Sequence, residues 1–418
     1  MKSKFRQIAL LLVLIMTLTL MVACGSGDGE ATTSEKPDDS SSASTGEKAG
    51  LDEDNPIYLA WLSPLTGNYE EYGKTGVAAC TLALEDINNS GGILGRKVVI
   101  DYFDDKADAT ESLNSANAIV DANKYVAVIG NYSSTGAMSA IPVFEENKII
   151  YETPIASHAD LAKMGQYIFR NGSVQSTESR LVADYMIEAG YKKMACIYMT
   201  DDFGLNTWKN WSDQFENVRG GEIVVAENYI VGQTTDFSPL ITKIMGYEVD
   251  GLYMIADYYD AAKIAIQAKD LGCELQLFGA PMVVRYDTLK LGGDDLNGLI
   301  AVSTLPVGST DPKFVEFDKR YQELKGDRAN VHAALWYDTT MHLADAINKA
   351  GSTDPDKIKD AIYANEFEAL ACTFKYDSEG NSIRTYFASQ VEGGEWKLKD
   401  TFVPEIQEDG TVKYKLLD

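Results

Sequence analysis

Two runs of hydroxyl side chains follow apolar, strand-like segments and together could bind an anion. Ser133, Ser134 and Thr135 lie between an apolar segment ending at Gly130 and a helical pattern, and residues 153–157 follow the next apolar segment. A helix start presents free N–H groups and the positive end of the helix dipole, so hydroxyls placed there suit a carboxylate. The alternatives are that the first run only caps the helix and that the second is a plain turn.

Two titratable residues also stand where elements begin. Asp257 follows the apolar segment 251–256 and could either pair with an ammonium group or cap the helix that begins near Tyr258. His332 opens a long helical pattern, where it could face a ligand or simply lie at the edge of a core. The chemistry these residues suit is therefore the binding of a small charged molecule.

Catalysis and metal binding have little support. The three histidines have no cysteine or carboxylate grouping at ligand spacing, and no nucleophile elbow, zinc-protease motif or phosphate-binding loop occurs. The glycine-rich stretch 91–95 follows a helix and precedes a strand, which is the position of a helix cap and turn. We therefore predict no catalytic residue, no metal and no cofactor, and an exported α/β hydrolase is the rival from another class.

The elements that position these residues alternate between strands and amphipathic helices, which is the pattern of parallel sheets built from βαβ units. Strands are predicted at 57–62, 97–103, 127–130, 148–151, 193–199, 222–229, 251–256 and 276–279, and helices at 72–88, 109–122, 136–147, 177–189, 205–218, 236–245, 261–271 and 332–350. The part from 373 to about 414 reads as strands with polar turns. Ligands of doubly wound sheets bind beyond the carboxyl ends of strands, so the loops named above are in the right place.

The amino terminus has the layout of an export signal. Lys2, Lys4 and Arg6 precede an uncharged stretch over 8–23, and the stretch ends in Met21-Val22-Ala23-Cys24, which resembles a bacterial lipobox. We predict a lipoprotein signal peptide over 1–23, lipidation of Cys24 and a flexible tether over 24–54. An ordinary secreted protein with an incidental Cys24 is the alternative.

The negative charge of the chain excludes nucleic acid as a partner and disfavours electrostatic binding to a membrane surface. With 37 Lys plus Arg against 63 Asp plus Glu, the 418-residue chain has a formal charge of −26, which excludes the basic stripe that nucleic acid requires. Removing the three positive charges of the signal leaves −29. Because an anionic membrane surface repels such a body, only the lipid is expected to hold it there.

A set of short segments carries a family resemblance through its order and spacing, although no single motif is decisive. The segments are 57–67, Tyr72-Gly73, 83–96, Asp104-Asp105, 128–130 with Ser133-Ser134, Thr153-Pro154, Phe169-Arg170, 201–204, 336–338 with 344–347, and 374–377 with Gly380. Together, over roughly residues 55 to 405, they resemble the branched-chain amino-acid (type I) family of periplasmic binding proteins.

The resemblance implies an α/β, type I periplasmic binding protein fold: two doubly wound, Rossmann-like lobes joined by three crossovers. The first lobe would comprise 55–175 plus 303–368 and the second 176–302 plus 369–418. It further implies an extracytoplasmic, lipid-anchored, monomeric receptor that closes on a small molecule and delivers it to the permease subunits of an ABC importer.

The resemblance also assigns roles in the site. Ser134 would be the main donor to a ligand carboxylate, with Tyr132 and Ser133 beside it, and the segment Ile155, Ala156 and Ser157 would complete the cradle through the Ile155 backbone and the Ser157 hydroxyl. The resemblance places aromatic rings of Tyr72 and Phe203 against the ligand, and His332 at the start of a wall-forming helix.

The sequence departs from the family where the ligand ammonium would bind. Pro281 stands where amino-acid-binding members carry an acidic residue, so Asp257 would have to supply the carboxylate. The expected ligand is a small amino acid, apolar or aromatic. If Asp257 only caps a helix, the ligand is an amine-free carboxylate or an amide-like solute. A sensory binding module with the same fold is a further alternative.

Overall fold

The computed structural model of the protein describes residues 51–67, 69–305, 307–407 and 411–417. The predicted signal peptide, Cys24 and most of the predicted tether lie outside these residues. Among the described helices, none is long and apolar enough to cross a membrane.

The first sheet is parallel and has the strand order β2-β1-β3-β4-β5. Its strands are β1 (Asp52–Ser63), β2 (Arg96–Asp104), β3 (Tyr125–Gly130), β4 (Ile150–Thr153) and β5 (Ile168–Arg170), and the helices between them are α1 (Glu70–Asn89), α2 (Ala109–Asp121) and α3 (Ser134–Glu146). Strand β1 begins inside the segment predicted as tether, because the Asp52 N–H donates to the Gly95 carbonyl at 3.0 Å.

The second sheet has eight strands in the order β16-β15-β14-β10-β9-β8-β6-β7. It contains β6 (Lys193–Met199), β7 (Glu222–Tyr229), β8 (Gly251–Ile255), β9 (Gln276–Gly279), β10 (Ile300–Ser303), β14 (Tyr386–Glu392), β15 (Glu395–Ile406) and β16 (Val412–Leu417). The helices of this part are α4 (Gln175–Glu188), α5 (Asp202–Ser212), α6 (Ser238–Ile244), α7 (Tyr258–Asp270) and α8 (Tyr286–Gly292). Strands β6 to β10 pair in parallel, and β14 to β16 add an antiparallel edge.

The chain returns to the first sheet between β10 and β14. This return comprises α9 (Pro312–Lys325), α10 (Val331–Ala350), α11 (Pro355–Ala364) and a small antiparallel sheet of β11 (Phe367–Glu368), β12 (Thr373–Tyr376) and β13 (Ser382–Arg384). Asn381 bridges to Arg170 at the end of β5. The boundary predicted at 368/369 therefore falls inside the small sheet, and the chain enters the second sheet only at Tyr386.

The alternating apolar segments are buried as strands. Leu59, Val128 and Ile129 in the first sheet and Met254 and Ile255 in the second have no exposed surface. Burial on both faces is what parallel strands covered by helices require. The chain passes between the two sheets after β5, after β10 and after β13, which gives the two-lobed α/β arrangement its three crossovers.

Candidate ligand-binding site

A cavity of about 290 Å³ lies where the carboxyl-end loops of both sheets meet. The first lobe contributes residues from α1, from the loops after β3 and β4 and from the start of α10, and the second contributes residues from α4 and from the loops after β6 and β9. The lining residues are Tyr72, Tyr132, Ser134, Pro154, Ile155, Ser157, Ser173, Gln175, Glu178, Met199, Asp201, Phe203, Pro281, Met282, Val284, Arg285, Asn330, Val331, His332 and Leu335.

The start of helix α3 faces this cavity. Ser133 is the residue that caps α3, since its hydroxyl accepts the Gly136 N–H at 3.0 Å, and it does not line the cavity. The next residue, Ser134, lines the cavity, and its hydroxyl accepts the His158 N–H at 3.3 Å. Because that contact uses a lone pair of the oxygen, the hydroxyl proton of Ser134 can be donated to an acceptor in the cavity.

A buried polar network holds the loop before Ser134. The Asn131 side chain donates to Asp105 at 2.6 Å and to the Ser112 hydroxyl at 2.8 Å, and it accepts from the Tyr151 hydroxyl at 2.8 Å. Asn131 and Asp105 have no exposed surface, and burial raises the pKa of Asp105. A network satisfied on every side is rigid, so the position of the helix start is fixed before any ligand arrives.

The second hydroxyl run contributes only in part. The Thr153 hydroxyl accepts the N–H groups of Ile155 at 3.4 Å and Ala156 at 3.0 Å, which turns these donors toward the loop itself. Ala156 is buried and does not line the cavity, so its predicted role is not supported. Ile155 lines the cavity, and so does Ser157, whose side chain is the predicted second hydroxyl.

Aromatic rings form one wall. Tyr72 and Tyr132 stack with ring centroids 4.4 Å apart, and the His332 ring lies 5.7 Å from the first and 6.2 Å from the second. Burial, and after it the charge of Arg285, lowers the pKa of His332 to about 4, so this ring is neutral near pH 7. Gly73 permits the packing of α1 here, since a Cβ at that position would lie 1.6 Å from the Pro64 carbonyl oxygen.

Phe203 approaches the cavity from the second lobe, as predicted from the sequence. A Cβ at Gly204 would lie 2.0 Å from the Met199 carbonyl oxygen, so only glycine allows the first turn of α5 to approach β6 this closely. The Gln175 side chain donates to the Phe203 carbonyl at 2.9 Å and thereby joins the first turn of α5 to α4.

Asp257 does not line the cavity. Its carboxylate accepts the N–H groups of Tyr259 and Asp260, both at 2.8 Å, and caps α7. The helix-capping alternative is therefore what the structure contains, because the carboxylate is already held by the two N–H groups that a helix start leaves unpaired.

Glu178, on the first turn of α4, lines the cavity and is absent from the sequence prediction. Glu178 is only 7% exposed, and none of the described lysine or arginine side chains forms an ion pair with it. Burial raises the pKa of Glu178 to about 8, against smaller opposite effects of Ser173 and Arg384. No sequence signal distinguishes this glutamate from the solvated ones on helix faces.

Arg285, directly before α8, is the second charged residue that sequence analysis omits. Its guanidinium lies 4.3 Å from the centroid of the Tyr258 ring and pairs with Asp287 at 3.2 Å. A usable signal exists here, because Arg285 lies in the loop after β9, at the sheet edge where ligands of doubly wound sheets bind.

Comparison with known proteins gives consistent results. A family model described as periplasmic binding protein matches residues 56–395. The leucine-, isoleucine-, valine-, threonine- and alanine-binding protein of Pseudomonas aeruginosa is 26% identical over 329 residues, which cover 78% of this chain and 87% of that protein.

Solved structures share the fold. The branched-chain amino acid transporter substrate-binding protein of Streptococcus pneumoniae, in complex with isoleucine, matches with a TM-score of 0.71 at 22% identity, covering 86% of this chain and 100% of that one. A solute-binding protein of an ABC transporter from Rhodopseudomonas palustris, in complex with 3,4-dihydroxybenzoic acid, matches with a TM-score of 0.73 at 20% identity, covering 84% and 98%.

Proposed function

The chain belongs to the periplasmic binding protein family, and from that membership we propose that it captures a small amino acid outside the cytoplasm for an ABC importer. The predicted type I fold with two Rossmann-like lobes is confirmed. The proteins that the chain matches are substrate-binding proteins and not enzymes, as the sequence predicts for this chain. The amino-acid ligand is supported by the name of the Pseudomonas aeruginosa relative and by the chemistry of the cavity.

The observation that carries the proposal is the position of Ser134. Its hydroxyl lines the cavity at the first residue of α3, where the helix dipole and the unpaired N–H groups favour an anion. Ser157, also in the first lobe, lines the cavity as well. The ligand carboxylate binds at this end, and the hydrocarbon part packs on the rings of Tyr72 and Tyr132.

The ammonium group of the ligand pairs with Glu178, which takes the role that sequence analysis gives to Asp257. Two carboxyl groups line the cavity, those of Glu178 and Asp201. Asp201 is exposed and already accepts the Gly204 N–H at 2.7 Å, whereas Glu178 is buried and has no cationic partner in the described part of the chain. A buried ammonium needs a charged partner, and Glu178 becomes that partner when it ionises.

Binding couples to closure of the two lobes. The first lobe holds the carboxylate through Ser134, and the second closes with Phe203 against the other side of the ligand. The ligand favours the closed form because only that form contacts it from both lobes. The closed form then presents a surface to the permease subunits, and the monomeric receptor releases its ligand there.

The proposal includes attachment through Cys24. The replacement Cys24→Ser is expected to release the protein from the membrane fraction, while the wild type remains there with a diacylglycerol mass on its amino-terminal peptide. A wild-type protein that is fully soluble, with an unmodified amino terminus, would exclude the anchor.

Titration calorimetry of the mature Cys24→Ser protein against amino acids and carboxylates tests the ligand class. Ser134→Ala is expected to weaken binding of the tightest ligand at least about tenfold, since a charge-assisted hydrogen bond contributes about 1.5–3 kcal/mol. The matched control is Thr135→Ala, which removes an exposed hydroxyl from the same helix start. Equal effects of the two variants would contradict the carboxylate site.

An amine-free carboxylate is the second candidate, and the raised pKa of Glu178 favours it. A protonated Glu178 can donate a hydrogen bond to a carboxylate or carbonyl group without requiring an ammonium. The two candidates differ in proton exchange: an ammonium beside Glu178 favours release of its proton on binding, whereas an amine-free carboxylate does not.

A further inference from the structure

Arg285 carries hydrogen-bond donors that the protein itself does not satisfy. Its Nη2 donates to Asp287 at 3.2 Å. Its Nε is buried without an acceptor, and its Nη1 has no partner among the described residues. A guanidinium keeps its charge at every physiological pH, so deprotonation cannot relieve this deficit. An acceptor from outside the chain is what the group lacks.

The guanidinium is held in place. It lies over the Tyr258 ring at 4.3 Å, and the backbone carbonyl of Arg285 accepts the Trp396 indole N–H at 3.1 Å. A planar fork fixed by stacking and by its backbone loses little freedom when it binds a carboxylate. These contacts hold the Arg285 side chain in one position at the cavity wall, so its hydrogen-bond donors are in place before a ligand binds.

The charges around Arg285 leave room for an anion. Asp287, its ion-pair partner, is shared with Lys290 at 3.3 Å, and Lys290 also pairs with Asp327 at 2.8 Å. The neighbouring His332 is neutral. The other acidic groups of the lining are Glu178, which burial keeps protonated near pH 7, and Asp201, which caps α5.

We propose that Arg285 binds a second acidic group of the ligand, so that the ligand is a short amino acid or carboxylic acid with a carboxylate at the end remote from Ser134. This rests on the proposed function, because Ser134 is what holds the first carboxylate. Ser134 and Arg285 belong to different lobes, so a ligand with two acidic ends bridges the lobes and stabilises the closed form. The ligand would then carry an acidic side chain instead of the apolar or aromatic one expected from the sequence.

Calorimetry with matched pairs of ligands tests this. Glutamate is compared with norvaline, and glutarate with valerate, because the members of each pair differ in the distal carboxylate. We expect the wild type to bind the acidic member of at least one pair tenfold or more tightly, Arg285→Met to reduce that preference to within twofold, and Arg285→Lys to retain part of it. Arg180→Gln, at an exposed arginine outside the cavity, is the matched control and should keep the wild-type preference.

Several outcomes would overturn the subsite. The subsite is excluded if the wild type binds norvaline as tightly as glutamate and also binds valerate as tightly as glutarate, a result that needs no variant. The subsite is also excluded if Arg285→Met, with a thermal unfolding transition like that of the wild type, keeps the preference for the acidic ligand. Binding of neutral amino acids that depends on Ser134 but shows no acid preference removes the subsite alone, whereas failure of every amino acid and carboxylate to bind removes both it and the proposed function.

Discussion

Glu152 on β4 and His342 on α10 form a hydrogen bond of 2.6 Å in which neither side chain is exposed. The Tyr376 hydroxyl of β12 donates to the other oxygen of the same carboxylate, and the rings of His342 and Phe367 pack at a right angle with centroids 4.3 Å apart. The pair thus joins the first sheet to the long helix and to the small sheet near the third crossover. Because Thr153 follows Glu152 and α10 begins next to His332, the pair also fixes two walls of the cavity.

Breaking this pair should cost stability. His342→Ala leaves the buried Glu152 carboxyl without its imidazole partner, and a buried polar group left unsatisfied costs about 1–3 kcal/mol, in addition to the cost of the cavity that the imidazole leaves. Urea denaturation of the mature chain measures the loss in free energy of unfolding. His158→Ala, at an exposed histidine, serves as the control and should change stability by less than about 0.5 kcal/mol. A loss below about 1 kcal/mol for His342→Ala would contradict the role assigned to the pair.

The alternation of strands and helices is predictable because it depends on local periodicity. The predicted bounds of β6, β7 and β9 coincide with those observed, and α1, α2 and α10 differ by one or two residues. Helix α9 is missing from the prediction although Pro312 opens it and Gly326 ends it in the left-handed region. Its segment carries many charges between few apolar residues, which weakens the periodic signal.

Removal of the Asp257 carboxylate should affect the helix and leave the ligand untouched. Asp257→Ala leaves two N–H groups of α7 without their acceptor, and loss of such a cap costs about 1 kcal/mol. Because the side chain does not line the cavity, ligand dissociation constants should stay within twofold. Asp108→Ala, which removes the equivalent cap of α2, is the matched control. A tenfold weakening of amino-acid binding in Asp257→Ala alone would return the ammonium site to this residue.

The stability of the fold should depend on pH through Glu178. Its pKa in the folded protein, about 8, lies above the value of 4.5 for an unperturbed glutamate, so the folded state binds a proton that the unfolded state has lost between these values. The contribution of Glu178 to stability therefore falls as pH rises from about 4.5 to about 8. The groups that face this carboxyl are Arg384, Tyr253 and Tyr386, and the two tyrosines stay neutral in this window.

Glu178→Gln isolates this effect, since the amide keeps the shape and cannot ionise. Relative to the wild type, the variant should gain stability between pH 5 and pH 8, by up to about 1.4 kcal/mol per pH unit. Urea denaturation at both pH values measures the difference, with Glu188→Gln at the exposed end of the same helix as the control. A relative loss of stability by Glu178→Gln as pH rises would show that the carboxyl is ionised in the empty protein.

Sequence predicts a residue of the cavity only where a short stretch of neighbouring residues indicates its position. Ser134 stands out because a hydroxyl lies between a strand and a helix, a pattern visible within ten residues. Glu178 and Arg285 reach the cavity because the chain crosses to the second sheet after β5 and the fold then places α4 and the start of α8 at the cavity. The residues that flank each of them in the sequence do not indicate that arrangement. Asp257 also lies between a strand and a helix, as Ser134 does, but its carboxylate accepts N–H groups of its own helix α7 and does not reach the cavity.

Proton exchange on binding distinguishes the two ligand classes. In the empty protein a carboxyl group with a pKa of about 8 is about nine-tenths protonated at pH 7. An ammonium placed beside Glu178 favours the ionised carboxylate, so binding of an amino acid should release close to one proton. An amine-free carboxylate favours the protonated form and should cause a slight uptake or no exchange. Calorimetry in phosphate and in Tris at pH 7 measures the number, because the two buffers differ in ionisation enthalpy. Glu178→Gln should abolish the release and weaken amino-acid binding, whereas a release that persists in this variant would place the ammonium against another group.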